Sequence, residues 1–200
     1  MKIFRLVQVP SSGDAEASLS PSWAVLTLPD TALLIAKRPF FIPDFAAVCD
    51  ASLCVALRIV RLGRSIHRQF AHRYYLASQA APAVHFIARD YLERLQGQSL
   101  PWDMALGFDD AVAVADAGQV DFTKVEAVKI AVDAEIAGAA LPCQFWEWVD
   151  TEIARVSEHY TLRQGDLFLF PMPVAPQPVH INATVTLSAD ELSLLSFHVK

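Results

Sequence analysis

The chain has 200 residues, and its 16 lysines and arginines against 22 aspartates and glutamates give a formal net charge of −6. That length allows one ordinary domain or two very small ones, and that charge argues against a nucleic-acid binder. Hydrophobic residues reach 54% while charged ones are only 19%, below the roughly 25% charged of a typical soluble domain, so part of the exterior is expected to be apolar and to invite a partner.

In chain order, residues 3–9 and 23–28 (WAVLTL) are β-rich runs, separated by a Ser-rich polar stretch at 11–22 that reads as loop. Pro39 and Pro43 bracket KRPFFIPDF, which the prolines make a fixed loop rather than a strand. A buried run follows at 53–60 (LCVALRIV). From Ser65 to Ala80 the spacing of Ile66, Phe70, Tyr74 and Leu76 predicts a helix, with Arg61, Arg64 and Arg68 on one side. Residues 83–88 read as a strand, and Tyr91, Leu92 and Leu95 begin a short helix with Asp90 as its candidate cap. Short β-like pieces occupy 110–138, and Phe145–His159 carries the clearest helical periodicity. Gly165-Asp166 stops that helix and starts a strand. Val179, Ile181, Ala183, Val185 and Leu187 alternate with other residues as one half-buried strand, and 192–199 forms another. With no repeat and no linker, residues 1–200 read as a single β-rich α+β domain with two or three helices. Seven glycines are about half the usual share, which predicts few left-handed loop positions.

Cys49, Cys54 and Cys143 are an odd trio without a CxxC pair, expected to be buried thiols in a reducing compartment. The amino terminus is too interrupted by Arg5 and Gln8 for a signal peptide, and Lys129, Asp133 and Glu135 break the most apolar region. The expectation is a cytoplasmic protein with no membrane span. No GxSxG, Walker loop, GxGxxG or HExxH occurs. Asp109-Asp110 is the only adjacent pair of aspartates, with a turn role as its simplest reading.

Residues 84–110, VHFIARDYLERLQGQSLPWDMALGFDD, resemble the core of the fumarylacetoacetate hydrolase family. PDTALLIAKRPFFIPDFA and LRIVRLGRSIHRQFAHRYY upstream, and YTLRQGDLFLFPMP downstream, resemble it in the same order, so the likeness spans nearly the whole chain. It implies a mixed β-sandwich roll, usually dimeric, whose members cleave or rearrange carbon–carbon bonds of diketo acids, acylpyruvates or oxaloacetate-like substrates. Their Mg²⁺ or Mn²⁺ polarises the substrate and needs hard oxygen ligands, a Glu-x-Glu on a strand and a later Asp. This sequence places Ser52 and Cys54 at the two glutamates and His85 at the aspartate. Asp50 shares the strand parity of Ser52 and Cys54. Leu106 replaces a lysine before Gly107-Phe108-Asp109, and of the closing Thr-Gly-Thr-Pro-x-Gly loop only Pro173 is kept. The early histidine-bearing segment corresponds to VQVPSSGDAEASL, which has no histidine.

Family-motif positions that do persist are Arg89, Asp90 and Asp109, candidates for catalysis, with Phe108 and Pro173 as candidate substrate contacts. These substitutions predict a member that has lost its metal site and chemistry, with no cofactor and a structural or regulatory role, while the resemblance itself implies a homodimer and a small-molecule acid ligand. The alternatives are an active hydrolase, lyase or isomerase with a remodelled site, including zinc held by Cys54, His85 and Asp50, and a binding module that keeps the old pocket.

Overall fold

The computed structural model describes residues 1–8, 23–35 and 38–200, so the loop expected at 11–22 lies outside the described residues. The strands are β1 (Ile3–Gln8), β2 (Trp23–Leu28), β3 (Cys49–Arg58), β4 (Ala81–Ala88), β5 (Val112–Val114), β6 (Ala127–Val132), β7 (Glu135–Ala140), β8 (Leu167–Pro171), β9 (Gln177–Val179), β10 (Thr184–Ala189) and β11 (Leu192–His198). The helices are α1 (Arg89–Gly97), α2 (Asp103–Leu106) and α3 (Phe145–His159). This is the β-rich α+β architecture with few helices that the sequence implies. No described helix is long and apolar enough to cross a membrane.

One sheet runs β2-β1-β8-β3-β4-β5, with β9 also paired to β3; the other runs β11-β10-β6-β7. Only β1 and β8 are parallel; every other pairing between these strands is antiparallel. β3 is buried along all but its last residue because both of its faces are covered. Its residues Ala51, Leu53, Val55 and Leu57 enter the main core, which joins the two sheets and α3. Cys54 and Ala56, on the opposite face, join a second cluster with Ile3, Ala83, Leu106 and Leu169. α3 packs into the main core through Phe145, Val149, Ile153 and Val156, spaced four, four and three residues apart.

Three local expectations are corrected. The segment 65–80 is not a helix but two 3-10 turns, Arg68–Arg73 and Ala77–Gln79. The Ser65 N–H bond to Ser157 O and the bridge Ile59–Tyr75 tether it at two points, and Phe70 and Leu76 are exposed rather than sharing a buried stripe with Ile66. The strand expected from Val179 to Leu187 breaks at Asn182, whose φ of 72° lies in the left-handed region. Residues before the break pair with β3 and those after it with β6 and β11, so one run serves two sheets. Glycine scarcity does not limit left-handed turns: Asp110, Asp133, Asn182, Asp190, Ser65 and Ser99 adopt positive φ alongside Gly118 and Gly165. Asp133 and Asp190 form the tight β6–β7 and β10–β11 hairpins, and each accepts backbone N–H bonds from a neighbouring strand end.

Phe86 stacks on Phe40 with ring centroids 3.7 Å apart and meets Phe197 of the second sheet edge-on, so one ring joins both layers. Phe86→Ala is expected to lower unfolding stability by about 3–5 kcal/mol through the cavity it leaves, read as a drop in the urea midpoint, while Phe86→Leu loses much less.

Candidate functional site

The candidate site forms where the main sheet curls. Ser52 of β3 and His85 of β4 are direct cross-strand partners, and Arg5 of β1 lies on the same face as Ile3 of the second cluster. Arg5 Nε donates to His85 Nδ1 at 3.0 Å, and Arg5 Nη2 donates to Ser52 Oγ at 3.2 Å. β1 and β4 are separated by β8 and β3, three strand spacings or about 14 Å in a flat sheet. Their side chains meet because the sheet rolls up.

The bond from Arg5 occupies the lone pair of His85 Nδ1, so Nε2 carries the proton and donates to Leu106 O at 2.6 Å. Both ring nitrogens are engaged. Complete burial and the adjacent Arg5 charge push the imidazole down to about 3, and it is neutral at ordinary pH. Cys54 is fully buried; burial pushes its thiol up, and its Sγ donates to Ser52 O at 3.5 Å. Asp50 forms an ion pair with Arg89 Nε at 3.3 Å, burial raising its carboxyl against the pull of that guanidinium.

A divalent cation of the kind the resemblance implies wants several anionic oxygens. Its expected positions supply a hydroxyl, a protonated thiol and an imidazole with no free lone pair, and a guanidinium already bonds two of them. The residues present do not fit the metal. They fit zinc no better: Cys54 and His85 offer neither a thiolate nor a free nitrogen, and Asp50 is turned to Arg89.

The other sequence candidates are dispersed. Asp90 is not the helix cap, a place taken by Ala88. Its carboxylate instead accepts the backbone N–H groups of Ala47 and Val48 at 3.1 and 3.2 Å, fixing the entry to β3. Desolvation opposes them, but these bonds hold Asp90 below the usual carboxylate range. Phe108 packs against Phe40 and Phe45 in a separate groove with Tyr91 and Met104. Asp109 is exposed in the turn that follows. Cys143, expected to be buried, is exposed, whereas Cys49 and Cys54 are buried.

Pro173 lines a cavity of about 920 Å³ that also exposes Arg5 and Ser52. It opens because the β8 ladder with β3 ends at Pro171, with one further bond from Met172 N–H to Leu53 O, and ladder pairing with β3 resumes only at Gln177. Prolines 171, 173 and 176 in that stretch lack the N–H groups a ladder needs. Trp23, Phe145, Trp148 and Glu152 complete much of its wall. Glu152 is 5% exposed and receives Arg155 Nε at 2.8 Å. Sequence reading missed Arg5, Trp148 and Glu152. The one available signal was a cation at an alternate, inward position of the apolar run IFRLVQ.

Sequence comparison finds no matching family model and no matching curated protein. Solved structures do match. A protein from Burkholderia cenocepacia assigned as a fumarylpyruvate hydrolase superposes with a TM-score of 0.83 at 22% identity, covering 100% of this chain and 88% of that one. Fumarylpyruvate hydrolase from Pseudomonas aeruginosa, solved with Mn²⁺ and pyruvate, gives 0.82 at 18%, covering 100% and 89%. The 2-hydroxyhepta-2,4-diene-1,7-dioate isomerase from Mycobacterium marinum gives 0.75 at 18%, covering 99% and 73%. The chain has the fumarylacetoacetate hydrolase-like fold.

His85 makes stability depend on pH. Unfolded, the imidazole titrates near its ordinary 6.5; folded, it stays neutral to about 3. The unfolded state therefore binds the extra proton between those values, and stability is lost as pH falls through that window, at about 1.4 kcal/mol per unit. Urea unfolding is expected to show a loss of about 2 kcal/mol between pH 6.5 and 5. His85→Gln, whose amide can accept from Arg5 and donate to Leu106, removes that loss.

Proposed function

We propose that the chain is a fumarylacetoacetate hydrolase family member that has lost its divalent-metal site and the chemistry that depends on it, and now has a structural or regulatory role. The observation that carries this reading is the Arg5 guanidinium, bonded to His85 and Ser52 where the resemblance places metal ligands. A fixed cation there opposes a second one by like-charge repulsion. The fold and the ordered motifs support family membership. Three free cysteines fit a reducing cytoplasm. The exposed Phe41, Phe45 and Met104 support a homodimer that covers part of this surface.

Protein purified without a histidine tag is expected to hold no stoichiometric Mg²⁺, Mn²⁺ or Zn²⁺ by elemental analysis. It is also expected not to turn over acylpyruvates or oxaloacetate with either of the first two metals added. Turnover that a chelator abolishes, with the metal restoring it, would establish an active remodelled enzyme and overturn the reading. In solution, light scattering is expected to give the mass of a dimer; a strictly monomeric state at all concentrations removes the interface assignment.

A further inference from the structure

The cavity holds a cation that lacks a described counter-charge. Arg5 is 5% exposed, and its two described partners, His85 and Ser52, are both neutral. A guanidinium carries five N–H donors. Nε and one N–H of Nη2 serve β4 and β3 along one edge, while Nη1 is buried without a partner among the described residues. A charge left this way in low-dielectric surroundings is costly, and it is least costly when an anion takes the remaining edge. The carboxylate in the wall does not serve: Glu152 Oε2 is engaged by Arg155.

A second donor points to the same chemistry. Trp148 Nε1 is buried with no described partner, in a ring packed 4.9 Å from that of Trp23 and 5.1 Å from that of Phe170. The rest of the wall is largely apolar, with Phe145, Met172 and Val174 among the prolines. Orphaned donors, one of them charged, buried in two residues that wall a mainly apolar cavity of about 920 Å³ match an amphipathic anion.

We infer that this cavity binds a monocarboxylic acid with a flat apolar body, its carboxylate gripped by the Nη1–Nη2 edge of Arg5 and its body lying against Trp148 and Phe145, with no metal between. The carboxylate and that edge match in a bidentate fork. The inference rests on the proposed loss of metal chemistry, since Arg5 here takes over the cationic role that a metal would have.

Phenylacetate and phenylacetamide share shape and differ in charge, so titrating both calorimetrically into the unaltered chain in the presence of EDTA isolates the anion contact. Phenylacetate is expected to bind, with the amide about tenfold weaker or worse. Arg5→Met, checked for native circular dichroism, is expected to lose the difference between the two. Equal binding of acid and amide, no binding of either, or undiminished acid binding in Arg5→Met overturns the inference. Because the acid–amide pair is read on the unaltered chain, it stands even where Arg5→Met does not fold. Failure here leaves the loss of metal chemistry intact, since that is read from metal content and turnover. Metal-dependent turnover overturns that loss whatever the acid and amide do.

Discussion

The guanidinium of Arg5 ties β1 to β3 and β4 across the intervening β8. This single side chain makes sense only in a rolled sheet, and it holds the roll at the point where the cavity opens. Its charge dictates what surrounds it. His85 must stay neutral and present a lone pair, so the proton sits on Nε2 and fixes Leu106 O at the end of α2. Ser52 supplies a small hydroxyl where a longer acid would compete for the same space. Small neighbours on this face, Cys54, Ala56 and Ala83, belong to the same cluster.

The cavity beside it comes from a different cause. β3 is long enough to need two partners in succession, and β8 and β9 take its two halves. Between them, Met172 keeps one bond to Leu53 O while the prolines around it turn the chain outward. The gap therefore lies beside Ser52, and α3 closes it from the other side with Phe145 and Trp148. Charge and opening coincide without either requiring the other.

What the sequence made legible follows from how local each signal is. α3 was read to its end residues because its apolar stripe is long and its core contacts recur every three or four positions. β3 was readable in part, as the buried run 53–60, and β4 as a strand at 83–88. The bend at Asn182 was not, because alternation of side chains continues through a residue whose backbone has changed hand. Segment 65–80 failed for the opposite reason: a helical spacing was present, but tertiary tethers decided the backbone. Ser52, Cys54 and His85 could be related through strand parity and the family motif. Arg5 could not be added, since its partners lie 47 and 80 residues away and nothing local announces a roll. Phe108 and Asp109 sit next to each other in sequence yet serve an aromatic groove and an exposed turn.

The parallel pairing of β1 with β8 has a temporal meaning. Lys2 and Asp166, 164 residues apart, meet at the head of that pairing, and β1 lies inside the sheet rather than at its edge. On a ribosome β1 emerges well before the β8 strand it pairs with and waits for it. Until β8 is released, β1 and β2 are an isolated ribbon of marginal stability, with the Arg5 cation still in water. Closure over a loop of this length is slow for any chain. The segment that carries the charge of the site is thus translated 164 residues before the strand that seats it.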